Sequence, residues 1–238
     1  MRIIWYDTVD STNAEALRRA SALEDMTVIA AREQTAGRGQ RGNTWTSDAG
    51  ENLTFTILFK YGSQPESGAL VRLNMAAALA VRNFLRAEGV NAVIKWPNDI
   101  YVGRRKICGM LIENRLSPTD SVSVVGIGIN LNQTAFPTTL PNPTSLKSLT
   151  GRTTAIEPAL ERFLRFLTAL LEKDCDFLSD YCSALFQKDA ECSYRDLRTG
   201  EVFRGTIIGV APDGRLRLRR TGSGQESLFG FKDIGYIL

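Results

Sequence analysis

"KWPNDIYVGRRKICGMLIEN", residues 95–114, is the most specific stretch of the chain. Lys95 ends the β-forming run "AVIKWPND" and meets Trp96-Pro97. Proline fixes its own φ and restricts the residue before it, so this corner sets the direction in which the lysine side chain leaves. Asn98-Asp99 supplies turn chemistry, and "IYVGRRKICGMLIEN" reads as a further strand. Arg104, Arg105 and Lys106 add positive charge ahead of Gly109. A lysine held on a rigid element can stabilise charge developing on phosphorus or on an acyl oxygen. Taken alone, Lys95 also reads as an ordinary surface charge.

Upstream, "RIIWYDTV" reads as a strand and "STNAEALRRASAL" as a helix, with Ser11 or Thr12 as N-cap and Glu15 placed to complete a capping box. "TVIAARE" and "NLTFTILFK" are strands, and residues 68–88 form an apolar helix interrupted by Arg72, Asn74 and Arg82. Downstream, "SVSVVGIGINLN" is a strand, and residues 133–154, rich in Pro, Thr and Ser, read as an irregular loop. "IEPALERFLRFLTALLEKDCDFLSDYCSALF" is a long helical stretch with apolar residues at three- and four-residue spacing. After residue 187 short strands joined by glycine turns take over, with Asp213-Gly214 as a hairpin signal.

"QTAGRGQRGNTW", residues 34–45, satisfies G-x-G-x-x-G through Gly37, Gly39 and Gly42. A dinucleotide site also needs a helix after the glycines and a carboxylate about 20 residues on; neither is present. A Walker loop needs lysine where this chain has Asn43. What remains is Arg38 and Arg41 among glycines, with no acid between Glu33 and Asp48, and Trp45 as a flat apolar lid. This suits a ligand carrying both negative charge and apolar surface; a solvated surface loop is the alternative. Three glycines make a free loop costly to order, so closure is expected over a ligand.

Composition excludes several chemistries. The 238 residues contain no histidine, so Ser-His-Asp and Cys-His mechanisms and imidazole-bound zinc are ruled out. Cys108, Cys175, Cys182 and Cys192 lack C-x-x-C spacing and read as small buried apolar residues. A net charge of +3 is too mild for wholesale nucleic-acid coating. No segment approaches about 18 uninterrupted apolar residues, and the first apolar run is too short for a signal peptide. A soluble, cytoplasmic protein that touches no membrane is expected.

"DSTN", "QTAGRGQRGNTW", "KWPNDIYVGRRKICGMLIEN" and "VVGIGINLN", in this order over residues 7–132, closely resemble the biotin–protein ligase (biotin–acetyl-CoA-carboxylase ligase) family. The resemblance implies an α+β fold: a class II aminoacyl-tRNA synthetase-like catalytic domain over residues 1–187, with a mixed or antiparallel sheet flanked by helices. A small SH3-like β-barrel follows over residues 188–238. It further implies the short type, without the N-terminal DNA-binding domain of the ligases that double as repressors. Ser11, Thr12, Asn13 and Gln34 fall where the family recognises biotin, a neutral ureido head suited to neutral donors and acceptors. Gly37, Arg38 and Gly39 match the loop over biotin and the adenylate phosphate, and Trp45 the tryptophan beside it. Lys95 matches the lysine at the biotin carboxylate and α-phosphate; with Arg38 it is the expected catalytic pair. Gly109 is expected at biotin, and Gln40, Arg41, Lys106 and Asn130 at the adenylate. Gln40 departs from the "GRGRRG" of many bacterial members and removes one cation from the loop. Asp99 reads either as a turn former or as a residue holding magnesium through water.

The implied reaction activates biotin with ATP and Mg2+ as biotinyl-5'-AMP, then transfers it to a lysine of a biotin carboxyl carrier protein domain. No DNA is involved, and a homodimer is compatible with the resemblance. The nearest alternative is a lipoate or octanoate ligase of the same superfamily, which typically carries a glycine-rich "RRxSGGG" loop. A binding module using the C-terminal barrel for RNA would need more aromatic platforms than the tail offers.

Overall fold

The computed structural model describes residues 1–172 and 177–237, the side chain of Arg41 excepted. Strands β1 (Ile3–Val9), β2 (Val28–Gln34), β3 (Leu53–Tyr61), β4 (Val93–Lys95), β5 (Asp99–Val102), β6 (Arg105–Arg115) and β7 (Ser121–Ile129) form one sheet. Their order is β1-β2-β3-β7-β6-β5-β4. β1 and β2 run parallel and every other pair is antiparallel. This is a mixed α+β arrangement, as the sequence predicts.

Period-2 alternation decides what each face of the sheet can do. On one face Phe55, Ile57, Val125, Ile127 and Ile129 pack with helices α2 (Ser67–Ala87) and α4 (Ile156–Leu171) in the main core. The rings of Phe55 and Phe163 lie 5.0 Å apart across that contact. The opposite face is divided. At one end Leu58, Val122 and Val124 pack under α1 (Thr12–Arg18) through Ala16 and Ala20. At the other end its residues are, Leu111 apart, small or polar: Thr56 aligns with Gly126 and Gly126 with Leu111, while Thr54 aligns with Gly128 and Gly128 with Gly109. The "GIGI" of β7 is therefore glycine toward one side and isoleucine toward the core.

A second, antiparallel sheet holds β8 (Glu191–Asp196), β9 (Val202–Val210), β10 (Leu216–Arg220), β11 (Glu226–Phe229) and β12 (Ile234–Tyr236), in the order β11-β10-β9-β8-β12. The turn at Asp213-Gly214 joins β9 to β10, and Gly214 has φ +87°. Trp96 Nε1 donates to the Gly214 carbonyl at 3.1 Å, so this turn grips the Trp96-Pro97 corner of the first sheet.

Several details differ from the sequence reading. Ser11 caps α1 by accepting from Ala14 N, but the capping box does not form: Glu15 instead accepts from Tyr6 and Arg18. The helix ends at Arg18, short of the 13 residues read for it. Residues 100–114 are two strands, because Gly103 turns the chain at φ +58°. The 133–154 stretch contains a short helix, α3 (Leu146–Thr150), which Ser145 caps and Gly151 ends in the left-handed region. The long helical stretch is α4 and a separate α5 (Phe177–Ser183); residues 173–176, Cys175 among them, lie outside the described residues. Of the other cysteines only Cys108 is fully buried, and burial pushes its thiol well above the usual range; Cys182 and Cys192 are half-buried.

Candidate active site

The glycine-bearing end of the sheet face is the floor of a cavity of about 330 Å3. Ladder register places Lys95 opposite Asp99, Asp99 opposite Gly109, Gly109 opposite Gly128 and Gly128 opposite Thr54. One row across five strands thus carries a lysine and a carboxylate at one end and bare backbone in the middle. Side chains from elsewhere rest on that bare backbone. A Cβ on Gly128 would lie 2.3 Å from Trp45 Cε2, and one on Gly126 2.2 Å from Asn13 Oδ1. Real Cβ atoms do not approach so closely, so these glycines are what lets Trp45 and Asn13 lie on the sheet.

Ser11, Thr12, Asn13 and Gln34 line one end of the cavity. The last three form a neutral hydrogen-bonded cluster with buried Thr56, while Ser11 is taken up in capping α1. Gln34 Oε1 accepts from Thr12 N at 2.8 Å and lies 3.1 Å from the Thr12 hydroxyl. Thr56 Oγ1 is 2.6 Å from Asn13 Oδ1 and 2.8 Å from Thr12 Oγ1. Each hydroxyl has one proton, so donation by Thr56 to Asn13 leaves Thr56 to accept from Thr12. Asn13 Nδ2 donates to Glu113 Oε2 at 2.8 Å and to the Leu111 carbonyl at 3.2 Å. With both ends of its amide assigned, Asn13 presents one orientation.

Cations gather in the middle. Lys106 reaches over Gly109 and pairs with Asp99 at 2.7 Å. Lys95 Nζ lies 5.1 Å from the ring centroid of Tyr101 and 4.8 Å from that of Tyr236. The corner that aims Lys95 is held from three sides. The Pro97 carbonyl accepts from Asn74 of α2 and Tyr181 of α5, and Trp96 binds Gly214. Arg38 closes the group from the loop, with Nη2 2.6 Å from Glu113 Oε1.

Residues 37–45 have their own fold. Arg38 bridges Thr44, Gly39 N donates to Asn43 O at 2.7 Å, and Trp45 N donates to Gly37 O at 3.0 Å. Arg38, Gly39, Gln40 and Trp45 line the cavity. Gly37 does not; it is buried beneath, where a Cβ would meet the Trp45 carbonyl at 2.3 Å. Its role is to let the hairpin close. Arg41 lies in a short 3₁₀ turn, Gln40–Gly42.

Asn130 stands outside this cavity and lines a second one of about 450 Å3, with Phe136, Leu140 and Pro141. Trp45, Asp99 and Lys106 border both. The second cavity is fixed to the start of β6 because Lys106 N donates to Asn142 O and Thr144 N to Lys106 O, and Asn130 Nδ2 bonds the Thr144 carbonyl. Among the described residues no three His, Cys, Asp or Glu side chains gather as a metal site. Asp99 is a single carboxylate already paired with Lys106, so the chain's own donors do not compose a metal cage.

Five contributors escaped the sequence reading: Thr56, Glu113, Gly126, Gly128 and Tyr236. The glycine alternation in "VVGIGIN" carried a signal for two of them. Glu113 and Tyr236 carried none, since only the folded chain brings Tyr236 to the cavity and sets Glu113 against Asn13 and Arg38.

The model of the biotin/lipoate A/B protein ligase family matches residues 5–130. A biotin–[acetyl-CoA-carboxylase] ligase of Paracoccus denitrificans is 38% identical over 168 residues, 66% of each chain. The bifunctional ligase/repressor BirA of Escherichia coli is 35% identical over 125 residues; the match spans 52% of this chain and 38% of that one. The chain therefore covers less than two thirds of the length of these relatives. The solved biotin protein ligase from Aquifex aeolicus, in complex with biotin and ATP, superposes with a TM-score of 0.81 at 26% identity, covering 99% of both chains.

Proposed function

Because the chain belongs to the biotin/lipoate A/B protein ligase family, we propose that it is a biotin–protein ligase, activating biotin with ATP and passing it to a lysine of a carrier-protein domain. One observation carries this choice: a neutral hydrogen-bonding slot and a second cavity are joined across a cationic waist, with Lys106 and Trp45 bordering both cavities. A ligand with a neutral head, a central anionic linkage and a flat base fits such a site, and biotinyl-5'-AMP is that ligand. The complex of the Aquifex relative with biotin and ATP supports the same choice.

In this reading Asn13, Thr12 and Gln34 receive the ureido head, and Gly109, Gly126 and Gly128 let Lys106, Asn13 and Trp45 lie close on the sheet and face the ligand. Desolvating a neutral head costs less than desolvating a charge, and the side chains offered to it are neutral, with the Glu113 carboxylate behind them taken up by Asn13 and Arg38. The carboxylate oxygen attacks the α-phosphorus, the bond to the β-phosphate oxygen breaks, and pyrophosphate leaves. Lys95, Lys106 and Arg38 stabilise the charge spread over the phosphoryl oxygens. The acceptor amine then attacks the acyl carbon, the acyl–oxygen bond breaks, and AMP leaves as the amine loses a proton. No side-chain nucleophile is required, in keeping with a chain lacking histidine. Asn130 and the second cavity take the base. Magnesium, held by the nucleotide's own phosphates, would neutralise their charge.

The catalytic unit is taken as residues 1–187 and the SH3-like unit as 188–238, working in the cytoplasm without DNA. No helix among the described residues is long and apolar enough to cross a membrane. The test is transfer: the chain incubated with a biotin carboxyl carrier domain, biotin and ATP should add one biotin to it by mass spectrometry. No addition from any of several such domains would count against the assignment.

A further inference from the structure

Three buried side-chain polar atoms have no hydrogen-bond partner among the described residues: Trp45 Nε1, Thr144 Oγ1 and Tyr236 Oη. Trp45 and Tyr236 line the first cavity, and Thr144 follows Pro143 of the second. Buried polar groups in folded proteins are almost always paired, so orphans collected around one site point to a partner that is not the protein. Trp45 was legible in the sequence as part of the site. Tyr236 was not, because it belongs to the other sheet.

The fold fixes Tyr236 firmly. It pairs with Tyr194 in the β12–β8 ladder, meets the Tyr194 ring edge-on at 5.6 Å, and lies 6.2 Å from the ring of Phe186. Its face carries the Lys95 ammonium at 4.8 Å, opposite Tyr101 at 5.1 Å. Two aromatic faces on either side of an ammonium attract it through their ring quadrupoles and help to fix its position. Burial pushes the Tyr236 phenol well above its ordinary range, so the hydroxyl remains a proton donor at neutral pH. A donor beside a cation suits anionic oxygen, and an O–H···O⁻ bond is among the stronger kinds. The slot around Asn13 offers neutral groups instead, so the anionic part of the ligand belongs beside Lys95 and Tyr236.

We propose that Tyr236 is a nucleotide-binding residue contributed by the C-terminal sheet: its ring seats the Lys95 ammonium, and its hydroxyl donates to a phosphate oxygen of the nucleotide. This rests on the ligase reading given above. The C-terminal sheet then completes the active site and is more than a stabilising appendage.

Tyr236→Phe keeps the ring and removes only the hydroxyl. In biotin-dependent ATP–pyrophosphate exchange, the KM for ATP should rise by roughly 10-fold, as for a lost hydrogen bond to a charged group. Biotin affinity measured without nucleotide should stay within twofold. Tyr236→Leu removes the seat as well and should lower kcat in addition. As a readout independent of turnover, a non-hydrolysable ATP analogue should raise the melting temperature of the biotin-loaded wild type more than that of Tyr236→Phe. A Tyr236→Phe protein with wild-type KM for ATP and an equal thermal shift overturns the proposal, as does an equal loss of biotin and nucleotide affinity. A wild-type protein with no exchange at all overturns the ligase reading beneath it.

Discussion

Arg38 and Glu113 are joined at 2.6 Å, and the other oxygen of the same carboxylate accepts from Asn13 at 2.8 Å. One side chain of β6 thereby ties the glycine loop to the neutral slot. Arg38 is half-exposed, so the pair itself contributes only about 0.2–1 kcal/mol to stability. Its importance lies in orientation. Glu113→Gln should leave the melting temperature nearly unchanged, weaken biotin binding severalfold and speed tryptic cleavage after Arg38. Unchanged calorimetric affinity and unchanged cleavage would show that the bridge orients nothing.

Removing Lys95 or Lys106 tests the cationic waist. Each alanine variant should fold and lose roughly 10²–10³ in exchange rate, the usual cost of one charge-stabilising contact. Lys95→Arg should not rescue activity, because a planar guanidinium does not occupy the space of a point charge between two rings. Near-normal exchange by a folded Lys95→Ala protein would remove Lys95 from the mechanism.

Gly126 is a steric test of the slot. Gly126→Ala places a Cβ 2.2 Å from Asn13 Oδ1, and the amide must move off Thr56. Biotin affinity should fall at least tenfold, at a stability cost of about 1–3 kcal/mol for the overpacked contact. Titration calorimetry beside a urea melt separates the two, and wild-type affinity in the variant would mean Asn13 is not at the head group.

Gln40 lines the cavity in a loop that the resemblance would give a further arginine. Restoring the cation with Gln40→Arg should lengthen the residence time of biotinyl-5'-AMP, followed by release of labelled adenylate from the gel-filtered complex. No change would place position 40 out of reach of the phosphate.

Acid stability follows from Asp196. Its carboxylate accepts from Arg198 N, Nε and Nη2 at 2.9, 3.0 and 2.7 Å, and those bonds hold its pKa down at about 2. A group lowered on folding stabilises the native state above its unfolded pKa, near 3.8, and the benefit fades as pH falls through the folded value. Urea midpoints should therefore drop from about pH 4 to about pH 2, less steeply in Asp196→Asn. Parallel slopes in the two proteins would contradict this origin.

Much of the site was legible because backbone constraint and side-chain chemistry coincide in short stretches. "KWPND" announces an aimed lysine, "DSTN" a cap with spare polar groups, and "GRGQRG" a loop that must turn tightly. The strands of the first sheet were legible through their β-forming runs and, in β3, alternation. What the sequence hid depends on contacts distant along the chain. Glu15 completes a capping box on paper, yet Arg18 and Tyr6 compete for it in the folded chain. Residues 100–114 look like one strand because β-forming runs stand at 100–102 and from Ile107 onward, and the Gly103-Arg104 pair between them reads as part of the run. Asn130 reads as part of the same motif as Lys106, but the residues after it fold back to enclose a separate cavity. Tyr236 sits 141 positions from Lys95, and nothing near either residue announces the other.

The most direct test of the central claim is ATP–pyrophosphate exchange with biotin, lipoate and octanoate as separate substrates. A neutral slot built from Asn13, Thr12, Gln34 and Thr56 selects a ureido head by hydrogen bonds, and analogues lacking those groups leave buried partners unpaired. Exchange should depend on biotin and be absent, or lower by at least about 10³-fold in kcat/KM, with the two fatty acids. Exchange driven equally well by lipoate or octanoate, or absent with biotin, would contradict the account.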